Sequence, residues 1–157
     1  MLEPPLPGPR AETDLALAVA DALEFETGFR PHLVACHLHR SRLDCNRSLS
    51  VGAEDNLFAQ QAWQEFHAFT EQAKASAIAT YGQAMVLDLH GMTRDRIEIG
   101  TLISGSQLLV GDSRLDHDAY AIGSSIRQLA SQSGRSFSSI SRGTLSLGSE
   151  LETRGYE

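Results

Sequence analysis

Apolar residues near the start of the chain recur at the spacing of an amphipathic helix. Between Glu12 and about Phe25 they fall on one helical face, and Thr13 is placed to cap the first turn. Gly28 and Pro31 follow, and these residue types are typical of a helix end and of the segment beyond it. The pattern therefore predicts a first helix that ends before Gly28.

Two further segments have helical periodicity. Residues 53–81 present one broad apolar face, and Gly82 is placed to close this longest helix. A shorter helix is predicted at about 118–133. The remainder, 134–157, is rich in Ser and Gly, and only 144–147 within it is predicted to be extended.

Three short apolar runs are typical of buried strands. They lie at residues 32–38, 84–90 and 97–103, and Gly100 in the third indicates a bulge. Because these runs alternate with the helical segments, they predict an α/β fold with a mostly parallel sheet flanked by helices.

The length of the chain, 157 residues, suits one domain with a core of its own. Four of the five prolines lie in the first ten residues, so residues 1–11 are predicted to be an extended, Pro-rich arm. Residues 12–157 are then expected to form a single α/β domain.

Charge and cysteine content exclude several classes of partner. A net charge of −7 argues against nucleic acid, which selects basic surfaces. No apolar run approaches the roughly 20 residues that span a bilayer, and the Pro-rich start lacks the apolar core of a signal peptide. Cys36 and Cys45 form no CxxC pair and indicate neither a zinc knuckle nor a disulfide framework, so a reduced, cytoplasmic setting is predicted.

Two of the predicted strands end at residues that carry charge or bind metals. The run at 32–38 leads into the segment RSRLDCNR, residues 40–47, and the run at 84–90 ends with Asp88 and His90. Because ligands of open α/β sheets bind beyond the carboxyl ends of strands, both segments are expected to face one crevice. Several arginines beside an Asp/His pair suit an anionic substrate handled next to a metal ion.

These motifs resemble those of the N-formylglutamate amidohydrolase family, a group of zinc-dependent exopeptidase-like hydrolases. The similarity runs over nearly the whole chain. It rests on RPHLV, the HR-x-R-L-D-x-N-R run, the long helix with Trp63 and His67, and D-L-H-G-M followed by EIGTLIS. The resemblance implies a zinc-exopeptidase (phosphorylase/hydrolase)-like fold, of which this chain matches the central part. The family's opening His-Gly metal motif and its late acidic residue are not found here, so a domain truncated at both ends is expected.

The resemblance also implies a substrate site. In the family an Asn-Arg pair holds the terminal carboxylate of the substrate, and Asn46 and Arg47 match it, with Arg42 beside them. A guanidinium that donates two hydrogen bonds and a neutral amide donor suit a carboxylate. The ordinary alternative is a solvated loop in which Asp44 balances the charge of the arginines. An ion pair between Arg42 and Asp44 is expected to fix the loop, and His39 is interpreted as a positioning residue.

His90 and Asp14 are the metal ligands that the resemblance implies, with zinc as the metal. Asp88 lies two residues before His90 on the same face of the predicted strand, where it can orient the imidazole. Both proposed ligands have an ordinary alternative. His90 can be a strand-end histidine that is hydrogen-bonded to a loop, and Asp14 can be an acidic residue that favours the first turn of a helix. A catalytic zinc site needs three protein ligands, and two are identified. Zinc binding by this chain alone is therefore expected to be weak, unless a second chain supplies the third ligand.

The function that the resemblance implies is metal-dependent hydrolysis of the amide of a small acidic N-acyl amino acid such as N-formylglutamate. Zinc would polarise the acyl oxygen, and the carboxylate contacts would orient the substrate. No general base is identified, so we expect carboxylate binding with very slow hydrolysis. A non-catalytic carboxylate-binding remnant and an incomplete fragment of such an enzyme are the alternatives.

Overall fold

The computed structural model describes residues 9–91 and 97–156, and every regular element within these ranges is a helix. The predicted α/β fold with a mostly parallel sheet is therefore wrong, and so is the zinc-exopeptidase-like architecture that requires this sheet. The helices are α1 (Pro9–Thr27), α2 (Leu49–Gly52), α3 (Leu57–Tyr81), α4 (Gly105–Leu108), α5 (Asp112–Leu115), α6 (Asp118–Ala121), α7 (Arg127–Ser133), α8 (Phe137–Ser141) and α9 (Leu147–Thr153).

None of the three predicted strands forms in the part of the chain that the structure describes. Residues 84–90 are exposed throughout, and the side chain of Met85 is 73% exposed. The apolar runs favoured an extended backbone, but a strand also needs a neighbour whose N–H and C=O groups complete a ladder. No such neighbour is described beside these segments, which accounts for the wrong prediction.

The chain divides into two compact units, Met1–Thr93 and Arg94–Glu157. In the first unit α1 begins at Pro9 rather than at the predicted Glu12, and Thr13 lies inside the helix. Proline suits the first position of a helix because the N–H that it lacks would have no intrahelical partner there. Residues 1–8 of the predicted arm lie outside the described residues.

The long helix α3 confirms the predicted helix end and corrects its start. At its end Gly82 adopts φ 76° and donates its N–H to the carbonyl of Ile78, a left-handed cap that favours glycine. At its start the Asn56 side chain accepts hydrogen bonds from the N–H groups of Phe58 and Ala59. This N-cap places the first helical residue at Leu57, whereas the apolar pattern predicted residue 53.

The second unit is organised around Leu115, which is fully buried. Ala130 and Phe137 complete this core, and the partly buried residues against it are Ile103, Val110, Tyr120, Ala121, Ile126 and Ile140. Arg142 restrains the segment from Leu108 to Asp112. Its guanidinium donates to the carbonyls of Leu108 and Val110 and pairs with Asp112.

The helix predicted at 118–133 is interrupted between α6 and α7. Ser124 Oγ donates to the carbonyl of Thr101 at 2.8 Å, and the N–H of Ser125 donates to the same oxygen at 3.1 Å. These long-range bonds occupy groups near the middle of the predicted helix, and they hold residues 122–126 out of helical continuity.

The Ser-rich tail contains two helices that the periodicity did not indicate. Ser136 and Ser146 are their N-caps, and their side chains accept from the N–H groups of Ser139 and Ser149. Serine at the N-cap pairs one of the unsatisfied N–H groups of the first turn. The prediction that 144–147 is extended is therefore wrong, because residues 144 and 145 form a turn and α9 begins at Leu147.

None of the helices in the described ranges combines the length and the apolar character needed to cross a membrane.

Candidate functional site

The charged segment predicted to bind carboxylate is an ordered loop in the first unit. We call residues 40–47 the arginine loop. Asp44 organises it: its Oδ2 accepts from Arg40 Nε at 2.8 Å and lies 3.8 Å from Arg47 Nε, while its Oδ1 accepts from the N–H of Asn46 at 3.0 Å. The Asp44 side chain is only 17% exposed, whereas those of Arg40 and Arg47 are 70% and 60% exposed. The carboxylate thus restrains the loop from beneath and leaves the guanidinium groups facing solvent.

The expected ion pair between Arg42 and Asp44 is wrong. Among the described residues Asp44 pairs with Arg40 and Arg47 instead. Arg42 and Asn46 are both exposed, and no polar contact of either side chain with another described residue is found.

His39 shapes the start of the loop through local hydrogen bonds. Its carbonyl accepts from the N–H of Arg42 at 2.7 Å and of Leu43 at 3.2 Å. Its Nδ1 accepts from the N–H of Ser41 at 3.2 Å and lies 2.9 Å from Ser41 Oγ. A ring nitrogen that accepts a hydrogen bond is unprotonated, so the proton of the neutral ring is on Nε2. These bonds turn the chain back on itself between residues 39 and 43.

Helix α3 holds the far end of the arginine loop by two side chains. Trp63 Nε1 donates to the carbonyl of Arg47 at 2.9 Å, and His67 Nε2 donates to the carbonyl of Cys45 at 3.1 Å. Trp63 and His67 are four residues apart on α3 and therefore share a face; their ring centroids are 3.9 Å apart. His67 is thus a partly buried histidine with a satisfied hydrogen bond.

A close backbone contact between Asp44 and Gly52 also supports the arginine loop. The N–H of Asp44 donates to the carbonyl of Gly52 at 2.9 Å, and a Cβ at residue 52 would lie 2.1 Å from the carbonyl oxygen of Asp44. Only glycine permits this approach. Beneath it lies a small buried cluster of Leu43, Ala53 and Ala59.

The two cysteines, which no sequence motif pairs, meet at this cluster. Cys36 and Cys45 are half-buried and both pack against it. Burial raises the pKa of the Cys45 thiol to about 12, with further contributions from the hydrogen bond to the Cys36 thiol, from the charge of Cys36 and from Asp44. The two cysteines are nine positions apart, a spacing that matches no recognised motif, and the turn at His39 brings them together.

Asp88 and His90 form the contact that was predicted for them. His90 Nε2 lies 2.9 Å from Asp88 Oδ2, and the two side chains are 54% and 71% exposed respectively. The neighbouring N–H of Gly91 donates to Glu12 Oε1 at 2.9 Å. The first turns of α1 therefore contact this segment through Glu12, while Asp14 is exposed. Glu12 was not identified from the sequence, although it precedes Asp14 by only two residues.

The described residues do not fit a zinc site. Among them no group of three or more His, Cys, Asp or Glu side chains is placed to hold a metal ion, whereas a catalytic zinc ion takes three protein ligands. We therefore derive no chemical step that passes through zinc.

The shared crevice stays a prediction. It was expected because two parallel strands would end at the same edge of a sheet, and these strands do not form. No contact between the arginine loop and the Asp88–His90 pair is described.

Comparisons with known proteins add no relative: no family model, no curated protein and no solved structure matches this chain. Membership of the N-formylglutamate amidohydrolase family is thus a prediction from the motifs.

Proposed function

We propose that this chain binds a small acidic N-acyl amino acid, such as N-formylglutamate, by its carboxylate through the arginine loop. The observation that carries the proposal is the presentation of Arg42, Asn46 and Arg47 on an exposed loop that Asp44 orders from below. The substrate class comes from the resemblance of the motifs to the amidohydrolases, in which recognition of this carboxylate orients the amide.

Charge supports an anionic ligand at this loop. The chain as a whole carries a net charge of −7, but residues 40–47 contain three arginines and a single aspartate. The local surplus of positive charge lies on side chains that are mostly exposed. Such a surface attracts small anions over a distance of roughly 10 Å at 0.1 M salt, the range within which charges are not screened.

The uneven distances around Asp44 indicate which arginine is available to a ligand. Arg40 is bound closely at 2.8 Å, whereas Arg47 Nε lies 3.8 Å from the same oxygen, beyond hydrogen-bonding distance. Arg47 is thus held near Asp44 by charge while its N–H groups are not committed to it. A guanidinium in this state can donate two parallel hydrogen bonds to an incoming carboxylate.

The support from α3 reduces the ordering that binding requires. The backbone at Cys45 and Arg47 is held by His67 and Trp63, so the residues that would contact the ligand are on a restrained main chain. Restraint before binding raises affinity because less conformational freedom is lost when the ligand binds.

In this proposal amide hydrolysis rests on the resemblance alone. N-formylglutamate and water would give formate and glutamate. The Asp88–His90 pair is a described group that could move a proton, since Asp88 Oδ2 lies 2.9 Å from His90 Nε2 and can orient the imidazole. The alternative is a module that holds the carboxylate without cleaving the amide.

Calorimetric titration with N-formyl-L-glutamate tests the binding proposal. We expect a dissociation constant near 1 mM, equivalent to about 4 kcal/mol, and no binding of the corresponding uncharged diamide. Arg47→Lys should weaken binding roughly tenfold, because a point charge cannot reproduce two parallel bonds. Arg135→Lys, which changes an exposed arginine of the second unit, is the matched control. Equal affinity of the two variants, or no binding by the unaltered chain, would contradict the proposal.

Formate release, measured in the same samples with and without added zinc, separates the two functions. Release that is lost in His90→Ala supports an amidohydrolase. Binding without any release supports the module that only holds the carboxylate.

A further inference from the structure

Cys36 and Cys45 bracket the turn that begins the arginine loop. They are the only two cysteines of the chain, and both are free thiols. The bonds from Arg42 and Leu43 to the carbonyl of His39 fold the intervening segment back. As a result both cysteines pack against the same buried cluster, and the Cys36 side chain contributes to the raised pKa of Cys45.

We propose that Cys36 and Cys45 are a modification site: they form a reversible disulfide that closes the arginine loop, by exchange with a low-molecular-weight disulfide such as glutathione disulfide. The geometry carries the inference, because two thiols that pack against one small cluster at the ends of a turned segment need little backbone movement to bond. The loop they enclose includes Arg40 and Arg42, so the modification acts on the part of the first unit proposed to bind an anion.

The exchange has two steps that balance. The Cys36 thiolate attacks one sulfur of glutathione disulfide, forms a mixed disulfide and expels one glutathione thiolate, which takes up the proton that Cys36 lost. The Cys45 thiol then loses its proton to solvent, its sulfur attacks the Cys36 sulfur, and the second glutathione leaves as a thiolate and is protonated. Two protein thiols are oxidised, and one glutathione disulfide is reduced to two molecules of glutathione.

The surroundings assign the order of attack. Burial and the contact with Cys36 keep the pKa of Cys45 high, at about 12, so its thiol is protonated at neutral pH and is a poor first nucleophile. Cys45 is therefore the resolving cysteine, which reacts once its partner carries a leaving group. A single cysteine in the same place would stop at the mixed disulfide.

Thiol counting on the full chain tests the proposal. After equilibration with glutathione disulfide and removal of the reagent, we expect the number of reactive thiols in the denatured protein to fall from two to zero per chain. The chain should remain monomeric and carry no bound glutathione, and reduced glutathione in excess should restore both thiols. Trypsin cleaves twice between the two cysteines and places Cys36 in peptide 11–40 and Cys45 in peptide 43–47. Under non-reducing conditions these peptides should therefore appear in the mass spectrum as one linked species.

The variants Cys36→Ser and Cys45→Ser are a matched pair. In Cys45→Ser we expect one stable mixed disulfide per chain, and in Cys36→Ser much slower modification of the remaining thiol. The peptide map of the unaltered chain decides the matter if either variant fails to fold. Two retained thiols, two bound glutathiones, or links only between different chains would overturn the proposal.

Discussion

Replacing Gly52 by alanine tests how far the arginine loop depends on one close backbone approach. The carbonyl of Gly52 accepts from the N–H of Asp44 at 2.9 Å. A Cβ at residue 52 would lie 2.1 Å from the carbonyl oxygen of Asp44 and 3.1 Å from its carbonyl carbon. Because these are backbone atoms, no rotamer change relieves the clash, and the two segments must separate.

Gly52→Ala has opposing effects on the free energy of unfolding, and their sizes decide whether the protein is stabilised or destabilised. Alanine is favoured over glycine in a helix by about 1 kcal/mol, and residue 52 is the last residue of α2. Forced overpacking costs about 1–3 kcal/mol, and loss of the hydrogen bond between Asp44 and residue 52 costs about 1 kcal/mol more. We therefore expect the free energy of unfolding to fall by roughly 1–3 kcal/mol net.

Urea unfolding followed by tryptophan fluorescence measures this change. Trp63 is the only tryptophan, and its indole is bonded to the carbonyl of Arg47, so its emission reports on the loop. Gly105→Ala is the control, since an added Cβ there meets no atom within 4 Å, and we expect it to leave the midpoint nearly unchanged. If Gly52→Ala unfolds at the same urea concentration as the control, the close approach is not a constraint and the reasoning fails.

Three further predictions concern the core, a helix cap and a thiol. Leu115→Ala should lower the free energy of unfolding by about 2–5 kcal/mol because a fully buried side chain is removed. Circular dichroism during urea unfolding measures this change. Leu109→Ala, at a site that is 86% exposed, is the control and should leave the free energy of unfolding unchanged. Asn56→Ala should cost about 1 kcal/mol through loss of the α3 N-cap, and an unchanged midpoint would show that the cap is replaced by water. Because burial raises the pKa of Cys45 from 9.0 to about 12, its contribution to stability is complete below about pH 9 and is lost as the pH rises toward 12. The urea midpoint should therefore fall less steeply with pH in Cys45→Ala than in the unaltered chain. If the midpoints of the two proteins fall equally steeply, the raised pKa of Cys45 is not the cause of the pH dependence.

For the candidate site, the sequence indicated which segments carry charge, and of the contacts within them it predicted the one between Asp88 and His90. The run from Arg40 to Arg47 was identified from its composition, and Asp88 with His90 from their spacing of two. The ion pair of Asp44 was assigned to Arg42, whereas Asp44 pairs with Arg40 and Arg47, and the contact between Glu12 and Gly91 was not predicted. Glu12 contacts Gly91, 79 positions away, and no local pattern specifies which residue of a helix meets so distant a segment.

The sequence by itself determined the elements whose causes are local. The end of α3 follows from Gly82, which adopts the left-handed conformation on its own, and the existence of α1 and α3 follows from helical periodicity. A helix pairs its backbone groups within one segment, so its signal lies within that segment.

Tertiary structure alone decided the outcome of the three apolar runs, the break at Ser124 and the meeting of Cys36 with Cys45. A strand is complete only when another segment supplies its hydrogen-bonding partners, and the bond from Ser124 to Thr101 spans 23 residues. Such contacts depend on how distant parts of the chain pack. An apolar run therefore determines that a segment favours an extended backbone, and the rest of the fold determines whether a sheet exists to receive it.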